Sequence, residues 1–259
     1  MSKIIAVCSQ KGGVAKTTTS INLSVSFANM GYKVALIDFD PQSDATKCMG
    51  ANPRNLRYSI FDVFLQEKKM KDIVVKAYGV DVYPAKKELA GIERLAEENP
   101  DVYPDRRVML RDALKEIRDK YDLIFVDLPP SLGPLTMNGL TAADEVLIPL
   151  QCEYLATDGV ETMIEEIAQA RITTNPNLKL LGIVATMFIS GTVLSSDVLQ
   201  ESRKHFDSVN IKMFDTIIPR SVRFGDSPMR GKPAIVLYPK NEVVQSYVEL
   251  AKEIDLLWH

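Results

Sequence analysis

Short runs of consecutive apolar residues alternate along the chain with longer segments whose apolar positions recur at helical spacing. Uninterrupted apolar runs are typical of strands covered on both faces of a sheet, and intervening helices allow such strands to pair in parallel. The pattern predicts strands at 4–9, 33–39, 80–83, 123–127, 145–150, 180–188 and 214–218, and helices at 16–30, 106–120, 157–174, 195–206 and 241–257. It therefore predicts an α/β fold, a doubly wound and mostly parallel twisted sheet with helices on both faces.

The domain organisation follows from the absence of an obvious linker. No stretch rich in Pro, Gly or Ser divides the 259 residues, so we expect a single domain over 1–259. Segment 53–104 is the least regular part, and we expect it to leave the main sheet. Ligands of open parallel sheets bind beyond the carboxyl ends of the strands, so the chemistry should lie directly after Ser9, Phe39 and Asp127.

Composition excludes several classes of protein. Apolar residues make up 46% and charged residues 25%, which fits a globular chain rather than a disordered one. Cys8, Cys48 and Cys152 form no C-x-x-C pair and the chain has 2 histidines, so we expect buried thiols rather than disulfides or a zinc site. No apolar run reaches the roughly 18 residues of a membrane span, and the apolar N-terminal stretch is too short for a signal peptide. We expect a cytoplasmic protein.

A glycine-rich turn follows the first predicted strand. It comprises Gln10, Lys11, Gly12, Gly13, Val14, Ala15, Lys16, Thr17 and Thr18. A strand, such a turn with Lys-Thr and then a helix form the layout of a phosphate loop, in which backbone N–H groups face the anion. Lys16 would reach the β- and γ-phosphates, and the Thr17 hydroxyl would bind Mg²⁺. Because Gln10 and Ala15 replace the two glycines of the strict G-x-x-x-x-G-K-[ST] pattern, a glycine-rich turn with a chance Lys-Thr stays the alternative.

This turn resembles the deviant Walker A motif of the ParA/MinD family of P-loop ATPases, whose signature is a lysine at the start of the loop, here Lys11. The resemblance continues at 36–42, 127–133, 149–154 and 218–223 and covers nearly the whole chain, with the short Soj-like partition ATPases as the best match. It implies slow hydrolysis of ATP with Mg²⁺. It also implies an ATP-dependent homodimer in which each Lys11 reaches the other chain's phosphates.

The resemblance also assigns the acidic residues and so completes the catalytic set of Lys11, Lys16, Asp40 and Asp127. Asp127 would hold a water bound to Mg²⁺, and Asp40 would position the attacking water and the metal's shell, which makes Thr17, Asp40 and Asp127 the metal residues. Asp38 is a candidate helper, because strand alternation puts it on the same face as Asp40. Turn formation is the alternative role for this pair.

The adenine is expected against late segments of the chain, at Thr186, Met187, Pro219 and Arg220, although Met187 also suits the core. The sequence departs from the family in two places. Ala15 stands where a glycine is usual, and we expect helical backbone there, which alanine tolerates, so that nucleotide binding survives. Gly191 stands where Soj-like proteins carry an arginine that helps to grip DNA.

Basic residues concentrate late in the chain. Segment 201–240 holds eight Lys/Arg against four acids, on a chain whose net charge is −3. The resemblance implies non-specific DNA binding by the ATP-bound dimer, with Arg220, Arg223, Arg203, Lys204, Arg230 and Lys232 as candidate contacts. It also implies a ParB-like (Spo0J-like) partner and association with the nucleoid when ATP is bound. No helix-turn-helix extension precedes Lys3, so we do not expect operator-specific repression.

Two other functions stay open. A MinD-like ATPase that acts at membranes needs a basic amphipathic C-terminal helix. The last predicted helix has an acidic polar face, so docking of its apolar stripe onto the core is favoured; the stripe comprises Val243, Tyr247, Leu250, Ile254 and Leu257. A small-molecule kinase on the same fold lacks a recognisable acceptor site but is not excluded.

Overall fold

A single twisted sheet organises the part of the chain described by the computed structural model, residues 2–153 and 158–259. Within these ranges the sheet has eight strands in the order β3-β4-β2-β5-β1-β6-β7-β8. All neighbouring strands pair in parallel except the edge strand β3, which is antiparallel to β4. The strands are β1 (Lys3–Val7), β2 (Val34–Asp38), β3 (Val75–Ala77), β4 (Val80–Tyr83), β5 (Leu123–Asp127), β6 (Glu145–Gln151), β7 (Lys179–Phe188) and β8 (Met213–Pro219).

Helices cover both faces of the sheet, as the apolar strand pattern predicts. They are α1 (Lys16–Asn29), α2 (Asp44–Cys48), α3 (Ile60–Phe64), α4 (Met70–Ile73), α5 (Ile92–Glu98), α6 (Met109–Leu114), α7 (Pro134–Ala142), α8 (Asp158–Thr173), α9 (Val193–Ser208), α10 (Val222–Arg230), α11 (Ala234–Leu237) and α12 (Glu242–Leu256). Two large apolar clusters result, one on each side of the sheet, because alternate residues of each strand point to opposite faces. Among the helices described, none is both long and apolar enough to cross a membrane.

The central strands bring the ends of β1, β2 and β5 side by side. Val7 and Asp38 both lie in register with Asp127, so the last residues of these three strands form a row across the sheet. The segments that follow them, 8–15, 39–43 and 128–133, therefore start at the same edge of the sheet. This edge is where the sequence predicts the chemistry.

Helix α1 is buried although it contains a run of hydroxyl side chains. The hydroxyls of Ser20, Ser24 and Ser26 each donate to the carbonyl four residues earlier, at 2.7–3.1 Å. Such back-bonding satisfies hydroxyls that burial would otherwise leave unpaired. The small side chains allow the helix to lie close to the sheet directly behind the phosphate loop.

The C-terminal helix docks onto the core, as its apolar stripe predicts. Tyr247, Leu250 and Ile254 of α12 are buried, whereas Leu257 is exposed. Beyond the helix, the Trp258 indole packs on Phe27 with ring centroids 5.7 Å apart, and its N–H donates to Glu145 at 3.0 Å. The three central residues of the apolar stripe therefore lie in the protein's own core, whereas Val243 is half-buried and Leu257 is not covered.

The structure changes some predictions. Segment 53–104 does not leave the main sheet, because its strands β3 and β4 form one edge of that sheet, with β4 paired to β2. The helix predicted at 106–120 is wrong, because α6 ends at Leu114 and a 3₁₀ turn at Arg118–Lys120 follows. Ile117 donates its backbone N–H to Leu114, and this tighter three-residue spacing brings both side chains into the same apolar cluster. The helix predicted from Thr157 is described from Asp158 onward, and Thr157 and Tyr154 lie outside the described residues.

Candidate active site

The phosphate loop connects the buried strand β1 to the N-terminus of α1. The first turn of α1 contains no acidic residue and no side-chain cap. Gly13 adopts φ +77°, and a Cβ atom added at Gly12 or Gly13 would meet nothing within 4 Å. The N–H groups at this helix start are therefore open to a ligand, and the partial positive charge of a helix N-terminus favours an anion.

The expectation that Ala15 has helical backbone is wrong. It lies just before α1 at φ 68° and ψ 28°, in the left-handed region. This conformation costs an L-residue with a Cβ atom roughly 1–2 kcal/mol, whereas glycine adopts it freely. Glycine is usual at this position because it adopts left-handed backbone without strain. This chain keeps the same backbone geometry with an alanine, which is strained there.

Lys16 is the only buried lysine or arginine among the described residues. It is 7% exposed, and its ammonium donates to the Lys11 carbonyl at 3.4 Å, with no carboxylate within ion-pair distance in the described chain. Burial lowers the pKa of Lys16, while the charges of Asp127 and Asp40 oppose that shift. A buried cation without a direct counterion is costly, so this site is built for an anion that is not part of the chain.

Asp127, at the end of β5, accepts two short hydrogen bonds from α1. Thr17 Oγ1 donates to one carboxylate oxygen and Ser20 Oγ to the other, each at 2.8 Å. Burial raises the pKa of Asp127 to about 7, and the two hydroxyls partly offset this effect. The Thr17 hydroxyl and the Asp127 carboxylate are the hard oxygen donors that Mg²⁺ prefers, and a site with few protein ligands suits an ion that keeps its waters and binds phosphate. These residues therefore fit the predicted metal.

Asp38 and Asp40 have different environments. Strand β2 ends at Asp38, so the predicted alternation does not extend to Asp40. Asp38 is fully buried and accepts from the Thr46 N–H at 2.7 Å and the Thr46 hydroxyl at 2.6 Å. Burial, followed by the charge of Asp127, raises the pKa of Asp38 to about 7. Asp38 thus anchors α2 to the sheet.

Asp40 lies in the loop between β2 and α2, on the side of the phosphate loop. Its carboxylate accepts the Gln42 N–H at 2.8 Å, and its own N–H donates to Asp38 at 3.3 Å. Burial raises its pKa, and Lys16 acts in the opposite direction. The structure therefore brings Lys16, Asp40 and Asp127 into one electrostatic group, as the sequence predicts.

Lys11 lies on the outer side of the loop. Its side chain is 48% exposed, and its ammonium is 3.4 Å from Glu153, which is equally exposed. An exposed pair of this kind contributes little to stability and is easily exchanged for another anion. Whether Lys11 reaches a second chain stays a prediction.

The predicted adenine residues lie at the ends of β7 and β8. The buried Thr186 hydroxyl donates to the Val14 carbonyl at 3.0 Å, which ties the phosphate loop to β7. Met187 has φ 53°, and the Arg220 N–H donates to the Phe188 carbonyl at 2.8 Å, which places Pro219 and Arg220 beside the end of β7. Contact of these residues with a nucleotide stays a prediction.

The candidate DNA contacts are spread over several elements. Arg203 is already engaged, since its guanidinium donates to Asp215 and to two backbone carbonyls at 3.1–3.4 Å. The others have exposed side chains; these are Lys204 on α9, Arg220 at the end of β8, Arg223 and Arg230 on α10, and Lys232 after it. Their contact with DNA stays a prediction.

Two residues that support the site were missed from the sequence. Ser20 is one helical turn after Lys16, and its position three residues after Thr17 was the available signal. Thr46 bonds Asp38 and accepts the Ala85 N–H at 3.1 Å, an interaction between distant segments that no local pattern indicates.

Comparison with known proteins agrees with this geometry. A family profile described as an AAA domain matches residues 2–180. The sporulation initiation inhibitor protein Soj of Bacillus subtilis is 39% identical over 256 residues, covering 98% of both chains. The chain belongs to the ParA/MinD family of P-loop ATPases.

Other family relatives extend the comparison. The chromosome partitioning protein ParA of Caulobacter vibrioides is 39% identical over 256 residues, covering 97% of this chain and 93% of that protein. A crystal structure of cobyrinic acid a,c-diamide synthase from Mycobacterium smegmatis, with a bound ATP analogue and magnesium, is 34% identical. It superposes with a TM-score of 0.88 and covers 100% of this chain and 96% of that one.

Proposed function

We propose that this protein is a ParA-type ATPase, which binds ATP with Mg²⁺, closes as a homodimer around the nucleotides and hydrolyses ATP slowly to drive chromosome or plasmid partition. The observation that carries the proposal is the buried Lys16 ammonium, which has no direct counterion beside an uncapped helix start. Relatives named for chromosome partitioning, at 39% identity over nearly the whole length, support the cellular role.

The chain's residues divide the work of phosphoryl transfer, which depends on positioning and on neutralising charge. The N–H groups of the loop and Lys16 bind the phosphates, with the adenine against Met187, Pro219 and Arg220. Thr17 and Asp127 would hold Mg²⁺, which supplies positive charge to the phosphate oxygens. Asp40 would orient the attacking water and the shell of the metal, and Lys11 supplies further charge from the second chain.

We further propose that the ATP-bound dimer binds DNA without sequence preference and answers to a ParB-like (Spo0J-like) DNA-binding protein. The exposed Arg220, Arg223 and Lys232 support the first part, because such binding requires Lys or Arg at phosphates. The dimer would then associate with the nucleoid in the cytoplasm. A MinD-like action at membranes is disfavoured, because Tyr247, Leu250 and Ile254 of the apolar stripe of α12 lie in the core.

Turnover of ATP with Mg²⁺ tests this proposal. We expect slow release of phosphate to water without any acceptor, stimulated by duplex DNA together with the ParB-like partner. Asp40→Ala should bind ATP and accumulate as a dimer, whereas Lys11→Ala should bind ATP as a monomer. Absence of ATP affinity in the wild type would contradict the proposal, and phosphate transfer that requires a small-molecule acceptor would favour a kinase.

A further inference from the structure

A wide groove lies next to the Asp40 loop, outside the phosphate loop. Three segments form its walls: 41–54, which includes α2, 86–90 after β4, and 228–231 at the end of α10. Its volume is about 1150 Å³, somewhat above the usual range for small-molecule pockets. The residues assigned to nucleotide binding and hydrolysis are not part of its walls, so the proposed ATPase function gives the groove no role.

The groove carries a strong excess of positive charge. The charged residues of its lining are Lys47, Arg54, Lys86, Lys87, Arg230 and the single acid Glu88. Lys47 is paired with Asp44 at 2.8 Å, but the other four cations have no ion pair within the described residues. Because the whole chain has a net charge of −3, this concentration of unpaired cations marks a site for an anionic ligand.

About half of the groove's surface is apolar, and this limits the kinds of ligand that can fill it. Pro41, Pro53, Pro228 and Met229 line it, and Met229 is 88% exposed. Protein–DNA interfaces are polar and strongly positive, so a duplex would leave this apolar surface uncovered in a recess. The described lining has no aromatic side chain on which a base could stack. A peptide that carries both carboxylates and apolar side chains matches both properties of the groove.

Two of the three walls of the groove are held together before any ligand binds. The Tyr78 hydroxyl donates to the Gly231 carbonyl at 3.2 Å. Gly50 has φ +87°, and a Cβ atom added there would lie 3.1 Å from that same carbonyl. This close approach of backbone joins α2 to the end of α10, so a ligand would meet a preformed site and lose less ordering entropy on binding.

We propose that this groove is the docking site for an acidic peptide segment of a partner protein. The carboxylates of the segment pair with Arg54, Lys86, Lys87 and Arg230, and its apolar side chains cover Met229 and the neighbouring prolines. The site is separate from the phosphate loop and does not depend on the proposed ATPase activity.

Fluorescence anisotropy with a labelled 12-residue peptide of alternating Glu and Leu tests this proposal. We expect saturable binding to the wild type, and at least a tenfold weaker affinity for Arg54→Ala/Lys87→Ala. The matched control Lys71→Ala/Lys120→Ala removes two exposed lysines outside the groove and should bind as the wild type does. Met229→Ala should weaken binding about threefold, because attraction between charges alone would not use this side chain.

Thermal melting and basal ATP turnover of the groove variants serve as checks of folding. The proposal is overturned if the peptide does not bind, if the groove and control variants lose affinity equally, or if Met229→Ala has no effect. It is also overturned if a 24-base-pair duplex displaces the peptide and itself binds Arg54→Ala/Lys87→Ala more weakly, since the groove would then be part of a nucleic-acid surface.

Discussion

Thr17 Oγ1 lies 2.8 Å from the Asp127 carboxylate, although 110 residues separate the two along the chain. The contact joins the start of α1 to the end of β5, and Ser20 makes a second contact of equal length to the other carboxylate oxygen. The pair of hydroxyls holds Asp127 in place beside Lys16. Of these two hydroxyl residues, only Thr17 is predicted to bind the metal. Removing each hydroxyl should therefore affect Mg²⁺-dependent ATP binding differently.

Replacing each hydroxyl separately tests this distinction. Thr17→Val should abolish the tightening of ATP binding by Mg²⁺, because the proposed ligand of the metal is lost. Ser20→Ala is the matched control, which removes a hydrogen bond to the same carboxylate and should keep the Mg²⁺ effect while losing about 1 kcal/mol of stability. Isothermal titration with ATP, with and without Mg²⁺, measures the difference. Equal loss of the Mg²⁺ effect in both variants would contradict the assignment.

The buried charge of Lys16 leads to a second prediction, on stability. Lys16→Met keeps a side chain of similar length and removes an ammonium that has no direct counterion. The free energy of unfolding without nucleotide should rise by about 1 kcal/mol or more, while ATP affinity falls at least 100-fold. Urea denaturation and nucleotide titration measure the two effects. A variant that is less stable than the wild type would show that the apo protein already compensates this charge.

The strands and the long helices of the main sheet could be predicted because their signals are local. Apolar runs located seven of the eight described strands, and the phosphate loop was found from its residue types and its position after β1. Edge strand β3, three residues long, gave no such signal. Seven of the described helices were also missed, namely α2, α3, α4, α5, α7, α10 and α11. Among these, α2 and α10 depend on contacts between distant segments such as Gly50 with Gly231.

In the candidate site, too, the features with local signals could be predicted, and those that depend on distant contacts could not. The expectation that Lys16, Thr17 and Asp127 lie at one edge of the sheet came from their positions after β1 and at the end of β5, and the structure does bring them together. Their roles toward ATP and Mg²⁺ stay predictions. Backbone conformation at Ala15 could not be predicted, because alanine ordinarily favours negative φ and the loop imposes φ 68°. The groove was missed because its cations come from three distant segments and only Arg230 belonged to a charge-rich stretch.

The raised pKa values of Asp38 and Asp127 predict how stability changes with pH. In the folded apo protein burial raises the pKa of both carboxyls from the ordinary 3.8 of an aspartate to about 7. Between about pH 4 and 7 the folded state therefore binds more protons than the unfolded state, so these groups make stability fall as the pH rises through this range. Above pH 7 their effect should be constant.

Asp38→Asn isolates one of these titrations. The asparagine carbonyl can still accept from Thr46, but the group no longer ionises in a buried position. The variant should match the wild type near pH 4 and exceed it by a few kcal/mol near pH 8. Asp105→Asn is the control of opposite sign, because Arg107 lowers the pKa of Asp105, so its contribution is lost as the pH falls. Urea denaturation from pH 4 to 8 decides, and a constant difference between Asp38→Asn and wild type would contradict the assigned cause.

The strain at Ala15 gives the last prediction. Ala15→Gly removes a Cβ atom from left-handed backbone, which should stabilise the folded state by roughly 1–2 kcal/mol, and glycine's greater freedom when unfolded offsets about half of this gain. We expect a net increase of about 0.5–1 kcal/mol in the free energy of unfolding. Ala28→Gly, within α1, is the matched control and should lose about 1 kcal/mol, because glycine has no strain to relieve there. Loss of stability in both variants would show that the loop does not hold Ala15 in this conformation in solution.

Since the loop geometry is already that of glycine, ATP affinity of Ala15→Gly should equal or exceed that of the wild type, and a nucleotide titration of both proteins measures this directly.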